Sequence, residues 1–284
     1  MNAEATLVTS DRLQALLARG GVLVVDCRCD LADAEGGARA HRAGHVPGAV
    51  HADLEHDLSD LSKAGLGRHP LPDAHAFSRV LQRWGWTPEL DVVAYDAAGG
   101  ALAAARLWWM MRLVGHVRVA VLDGGFQAWH DGGRPLEAGD VRRTASPVEV
   151  RFDAARVVGY EELQQRLRDR SALLVDARAS ARFRGEVEPL DRVAGHVPGA
   201  VNRPFQDNLA ADGTFHSRDA LRESFGELLA GRDPREVVHM CGSGVTACHN
   251  LLAMEHAGLR GSRMFAPSWS GWVDDRTRPV ALGP

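Results

Sequence analysis

Val237-Val238-His239-Met240-Cys241-Gly242-Ser243-Gly244-Val245-Thr246-Ala247-Cys248 is the stretch that decides how this chain is read. A β-rich run ends at a cysteine, glycines 242 and 244 ring the next loop, and a helix-forming segment starts at once. A thiol held there meets converging backbone N–H groups and the positive end of a helix, and both favour negative charge on sulfur. The glycines let the backbone curl around the sulfur without a Cβ in the way. The unit therefore reads as cysteine chemistry, with Cys241 as nucleophile and the N–H groups of Gly242, Gly244, Val245 and Thr246 as its anion nest.

Outward from this loop, the chain repeats itself. Ala43-Gly44-His45-Val46-Pro47-Gly48-Ala49-Val50 recurs letter for letter at Ala194-Gly195-His196-Val197-Pro198-Gly199-Ala200-Val201. Each copy follows a strand with an Asp-x-Arg end: Val22–Arg28, ending Asp26-Cys27-Arg28, and Ala172–Arg178, ending Asp176-Ala177-Arg178. Val121–Trp129 has a looser echo in Met264–Trp272. A period near half the chain, seen twice, means two copies of one domain rather than a solenoid. The Gly- and Pro-bearing segment Gly132–Val150 is the natural linker, which places the domains at residues 1–140 and 155–284. Aligning the copies sets Val92-Val93-Ala94-Tyr95-Asp96 against Val237-Val238-His239-Met240-Cys241, so the first half carries Asp96 where the second carries the cysteine.

Helix and strand alternate in both halves. The pattern predicts helices over Ser10–Arg19 (capped by Ser10), Asp73–Trp84, Leu102–Val114, Tyr160–Arg168, Ser217–Ala230 and Val245–His256. It predicts strands over Val22–Asp26, Asp91–Tyr95, Val117–Leu122, Ala172–Asp176, Glu236–Met240 and Arg263–Ala266. Continuous apolar strands separated by helices argue for an α/β class, two mostly parallel sheets flanked by helices. Ligands in such sheets sit beyond the carboxyl ends of the strands, which is where Cys241 falls.

Composition narrows the function further. The 284 residues are 45% hydrophobic and 25% charged with a net charge of −4, an ordinary soluble balance without a basic tract for nucleic acid or an anionic membrane. Arg106 and Arg112 interrupt the apolar run Leu102–Val114, which is too short for a membrane span. The first residues lack a signal-peptide pattern, and four cysteines in this length are no disulfide framework, so a cytoplasmic protein is expected. No cofactor or metal is expected either. Cys27-x-Cys29 lacks the paired spacing of a zinc site, and Cys248, two helical turns beyond Cys241, reads as packing.

Tandem domains with Gly-His-Val-Pro-Gly-Ala, and a Cys241-Gly242-Ser243-Gly244-Val245-Thr246 loop in the second copy only, resemble the two-domain rhodanese superfamily. The loop itself is similar to that of the 3-mercaptopyruvate sulfurtransferases; in the thiosulfate branch the positions of Gly242 and Ser243 are typically Arg and Lys. The resemblance implies a sulfurtransferase that takes sulfur from a small-molecule donor, 3-mercaptopyruvate, as a Cys241 persulfide. A thiol such as thioredoxin or a small thiol, or cyanide, then collects it. It implies that Ser243 serves the leaving enolate and that His69, before Pro70-Leu71-Pro72, is the family histidine. Asp53 and Glu55 lie where the family places a companion acid, giving a Ser–His–acid relay that joins the two halves. Arg182 matches the first substrate arginine. The second usually follows a Glu-Pro pair directly, but Leu190 follows Glu188-Pro189, which leaves Arg192 as the nearest candidate.

Three rival functions meet obstacles in the sequence. Cysteine phosphatases of this type need an arginine six positions after the nucleophile, where this chain has Ala247. A non-catalytic sulfur-binding module would not need the intact Cys241 loop. Thiosulfate as donor would want the cations that Gly242 and Ser243 do not offer.

Overall fold

The computed structural model describes residues 5–30 and 32–284, and these form two compact units. The first unit comprises residues 1–60 and 72–153 with 211–215; the second comprises 61–71, 154–210 and 216–284. Each unit thus holds a short segment from the other half of the sequence. The linker prediction did not foresee that exchange, and it carries His69 into the second unit.

The first unit runs β1 (Leu7–Val8), α1 (Ser10–Arg19), β2 (Val22–Asp26), α2 (Gly36–Ala43), β3 (Val50–His51), α3 (Ala74–Arg83), β4 (Asp91–Tyr95), α4 (Ala104–Leu113), β5 (Val119–Leu122) and α5 (Gly125–Asp131). Its five strands are parallel in the order β1-β5-β4-β2-β3. The second unit runs α6 (Tyr160–Arg168), β6 (Leu173–Asp176), α7 (Ser180–Phe183), β7 (Val201–Asn202), α8 (Arg218–Leu229), β8 (Val237–Met240), α9 (Ala247–His256), β9 (Arg263–Met264) and α10 (Ser268–Trp272). Its sheet, β7-β6-β8-β9, is also parallel. Every residue of β2, β4, β5 and β8 is buried, as expected of parallel strands covered on both faces. Among the described residues no helix is long and apolar enough to cross a membrane.

The two repeated motifs prove to be halves of one device. Arg178 lies against Asp176, its Nε 3.1 Å and its Nη2 2.7 Å from the two carboxylate oxygens, and Nη2 also donates to Gly195 O at 2.7 Å. Arg28 does the same between Asp26 and Gly44 O, the latter at 2.7 Å. The buried ion pair at each strand end therefore fastens the Ala-Gly-His-Val-Pro-Gly turn to the sheet. The two histidines of those turns make structural bonds: His45 Nδ1 lies 2.8 Å from His41 O and His196 Nδ1 2.9 Å from Phe183 O. Cation–π stacking completes the device, with Arg28 over Phe126 and Arg178 over Trp269.

Some boundaries move, for identifiable reasons. Thr9, not Ser10, caps α1, accepting the Arg12 N–H at 3.2 Å. Helix α4 starts at Ala104 rather than Leu102. The N–H groups of Ala98 and Gly100 (both 2.8 Å), Leu102 (3.0 Å) and Ala104 (3.2 Å) all donate to the carboxylate of Asp96. Register makes Asp96 the counterpart of Cys241, because Tyr95 pairs with Asp26 as Met240 pairs with Asp176. Burial pushes the Asp96 pKa up, against the pull of those four donors. In the first unit, then, the anion nest is filled by a fixed carboxylate.

His239, on the central strand β8, is fully buried with no hydrogen-bond partner on either ring nitrogen among the described residues, and burial pushes its pKa down to about 3. The folded chain refuses a proton that the unfolded chain accepts near pH 6.5. The associated stability is therefore fully present above that pH and is lost as pH falls toward 3. At pH 5 the loss is on the order of 2 kcal/mol. Melting of the second unit between pH 7 and 4 should show this slope, and His239→Leu should flatten it; an equally steep slope in the variant would assign it to other groups.

Candidate active site

Cys241 follows β8 directly, 1% exposed, with its N–H donating to Ser268 Oγ at 3.1 Å and its Sγ accepting the Gly244 N–H at 3.2 Å. Of the N–H groups expected around sulfur, Gly244 is the one that reaches it among the described residues. Gly244 can do so because its φ is +80°, and a Cβ there would stand 2.4 Å from Ala266 O. The loop is pinned through its carbonyls to α10: Trp269 N–H donates to Cys241 O at 2.9 Å and Ser270 N–H to Gly242 O at 2.8 Å. Ser268, at φ +55°, is a strained non-glycine residue whose hydroxyl meets the nucleophile's own N–H. No sequence signal singled it out.

Ser243 and His69, both 8% exposed, meet at 2.8 Å between Oγ and Nδ1. The 61–71 segment that brings His69 here is fitted to α10 and α6 by three contacts. Gly67, at φ +85°, packs where a Cβ would be 2.4 Å from Pro267 O; Arg68 N–H donates to Ser270 Oγ at 3.0 Å; and Tyr160 OH donates to Gly65 O at 2.7 Å. Gly271 belongs to the same fit. A Cβ there would lie 2.5 Å from Tyr160 OH and 3.0 Å from Gly67 N, so the position has no room for a side chain.

Arg182, on α7, is bound to Glu188, its Nη2 2.7 Å from Oε1 and its Nε 3.3 Å from Oε2, and Nη2 also lies 3.2 Å from Asp191 Oδ2. Arg68 Nη1 pairs with the other oxygen of Asp191. Both guanidinium groups come up to Gly242: a Cβ on that residue would be 3.2 Å from Arg68 Nη2 and 3.4 Å from Arg182 Nη1. Burial alone would raise the Glu188 pKa, but the Arg182 guanidinium and the N–H groups of Asp191 and Leu190 outweigh it and hold the carboxylate below its ordinary range. Arg192 is exposed and makes no ion pair or hydrogen bond among the described residues. The structure thus gathers Cys241, Gly242, Ser243, Gly244, His69 and Arg182 and adds Arg68. Val245 is buried and Thr246 half-buried at the N-terminal end of α9.

Asp53 and Glu55 belong to the first unit. Asp53 Oδ1 accepts the N–H groups of Glu55 (2.8 Å) and His56 (2.9 Å) and pairs with His56 Nδ1 at 3.1 Å. Burial opposes its ionisation, but these bonds prevail and lower its pKa. Glu55 is exposed at the rim of a cavity of about 260 Å³ that Cys29 and His51 also line. The other thiols differ from Cys241 in setting. Burial pushes Cys27 up and Cys29 up to about 12. Buried Cys248 lies 3.7 Å from Gly244 O and 3.6 Å from Met264 Sδ, a packing position.

Comparison with known proteins agrees with this architecture. The family model described as rhodanese-like domain matches twice, at residues 9–131 and 160–275. The probable 3-mercaptopyruvate sulfurtransferase of Pseudomonas aeruginosa is 45% identical over 283 residues, 99% of each chain. The human 3-mercaptopyruvate sulfurtransferase is 37% identical over 83% of this chain and 78% of its own. The crystal structure of SseA from Escherichia coli, described with the rhodanese fold and catalytic mechanism of 3-mercaptopyruvate sulfotransferases, superposes with a TM-score of 0.81. It is 30% identical, over 94% of this chain and 99% of that one. Two domain matches, full-length relatives and a shared fold place the chain in the rhodanese family, as a tandem-domain sulfurtransferase.

Proposed function

We propose that the protein moves sulfur from 3-mercaptopyruvate through a persulfide on Cys241 to a thiol or cyanide. The observation that carries the reading is the 2.8 Å contact of Ser243 Oγ with His69 Nδ1, two residues past a buried cysteine. The Cys241 thiolate attacks the donor's sulfur, the S–S bond forms, the donor's C–S bond breaks, and its electron pair leaves as the enolate of pyruvate. Ser243, backed by His69, delivers the proton that turns the enolate into pyruvate. An acceptor thiolate or cyanide then takes the outer sulfur and returns Cys241 to the thiolate.

A carboxylate donor suits the site because Arg182 presents a guanidinium beside Gly242. Three arginines there (68, 178, 182) already face three acids (Asp176, Glu188, Asp191), so no surplus of cations awaits a dianion such as thiosulfate. The expected result is a kcat/KM for mercaptopyruvate at least roughly tenfold above that for thiosulfate, the worth of one charge-assisted hydrogen bond. Initial rates with both donors under one set of conditions test it, and faster turnover of thiosulfate would reverse the assignment. Gly242→Arg with Ser243→Lys should shift the preference toward thiosulfate.

A further inference from the structure

The geometry points to Arg68, set by Asp191, as the second cation that grips the donor's carboxylate, a deepening that rests on the function proposed above. The sequence offers Arg192 for that role, and Arg192 is exposed and makes no ion pair or hydrogen bond among the described residues. Arg68 instead arrives from the 61–71 segment, immediately before His69.

Three observations carry the inference. Asp191 divides its two oxygens between the two guanidinium groups, Oδ1 to Arg68 Nη1 and Oδ2 to Arg182 Nη2. Asp191 thereby holds one terminal nitrogen of each arginine, and Glu188 holds Nε and the same terminal nitrogen of Arg182. The other nitrogen of each, Arg68 Nη2 and Arg182 Nη1, makes no hydrogen bond among the described residues, and the two converge 3.2 and 3.4 Å from the point where a Cβ on Gly242 would stand. That face of Gly242, adjacent to the nucleophile, is therefore flanked by two guanidinium groups, which come so close because residue 242 has no side chain. An anionic oxygen that enters between the two nitrogens, in van der Waals contact with the Gly242 Cα rather than at the Cβ point itself, would accept one charge-assisted bond from each.

Glu188 is what keeps the arrangement from collapsing. It holds Arg182 and Arg178 and accepts the N–H groups of Leu190 and Asp191, both at 3.1 Å, which fixes the turn that aims the Asp191 carboxylate. Burial raises the Asp191 pKa, against the pull of Arg68 and Arg182. Asp191 acts through the arginines and is a positioning residue; Arg68 touches the donor.

The test uses the full chain with two donors, mercaptopyruvate and inorganic polysulfide, which has no carboxylate. Cys241 persulfide is followed by intact mass alongside steady-state rates. Arg68→Ala should raise KM for mercaptopyruvate about tenfold with a much smaller effect on kcat, and should weaken loading from polysulfide far less. Arg68→Lys should recover part of the loss. Asp191→Asn, a second route should Arg68→Ala not fold, should raise the same KM by a smaller factor. A KM that responds to Arg192→Ala and not to Arg68→Ala, or one that falls in Asp191→Asn, would overturn the inference. Wild-type protein that loads from polysulfide but never from mercaptopyruvate would instead sink the proposed function and leave the geometry standing.

Discussion

Cys241→Ser is expected to abolish sulfur uptake altogether. Treated with mercaptopyruvate, the wild-type chain should gain one sulfur atom, about 32 Da, as a persulfide, and the serine variant none. Cys248→Ser should still load, since that thiol is packed against Gly244 O and Met264 Sδ. Cys27 and Cys29 should stay unmodified, because burial raises both pKa values and keeps those thiols protonated and poorly nucleophilic. Sulfur found on any of the three in place of Cys241 would reassign the nucleophile.

His69→Ala should lower kcat by about a hundredfold, the low end of what a positioned proton donor contributes. Ser243→Ala should do much the same, since the two side chains form one relay through the 2.8 Å contact. The decisive measurement is the double variant: acting as a unit, the pair should lose little more together than either loses alone. Losses that multiply, to roughly ten-thousandfold, would mean that the two residues serve separate steps. Loading from polysulfide, which releases no carbanion, should be far less sensitive to all three changes.

Much of this was legible in the chain. The α/β class, the duplication, the nucleophile and its serine follow from local patterns: apolar runs for strands, glycines around Cys241, and an octapeptide that occurs twice. What escaped was everything fixed by contacts between distant residues. Helix α2 opens with Gly36-Gly37, poor helix formers without an apolar period, and exists because Gly37 lets the backbone close on Arg28 O. The two-residue strands β1, β3 and β7 are too short to show alternation. Ser268 and Arg68 carried no local mark, since their roles arise from strain and from a partner more than a hundred residues away, 123 in the case of Arg68 and Asp191. Arg192 is read off a motif measured along the chain, which has no means of showing that Arg68, 123 residues before Asp191, comes up to Gly242 through space.

The membership of residues 61–71 in the second unit has a consequence in the time order of synthesis. Arg68 and Ser270, whose bond helps seat that segment, are 202 positions apart, and His69 and Ser243 are 174 apart. At roughly 5–20 residues per second, the segment leaves the ribosome about ten to forty seconds before the helix that receives it. Lengthening such a loop adds little further to the equilibrium free energy, about 0.6 kcal/mol per doubling, but it delays contact formation. Throughout that interval the growing chain has its histidine but no seat for it. A chain arrested after Cys241 and before α10 would carry the thiol without the hydroxyl of Ser268, the carbonyl anchors or the docked His69. Competence for sulfur transfer is therefore conferred only once α10 has been made, and a chain arrested before it holds an idle cysteine.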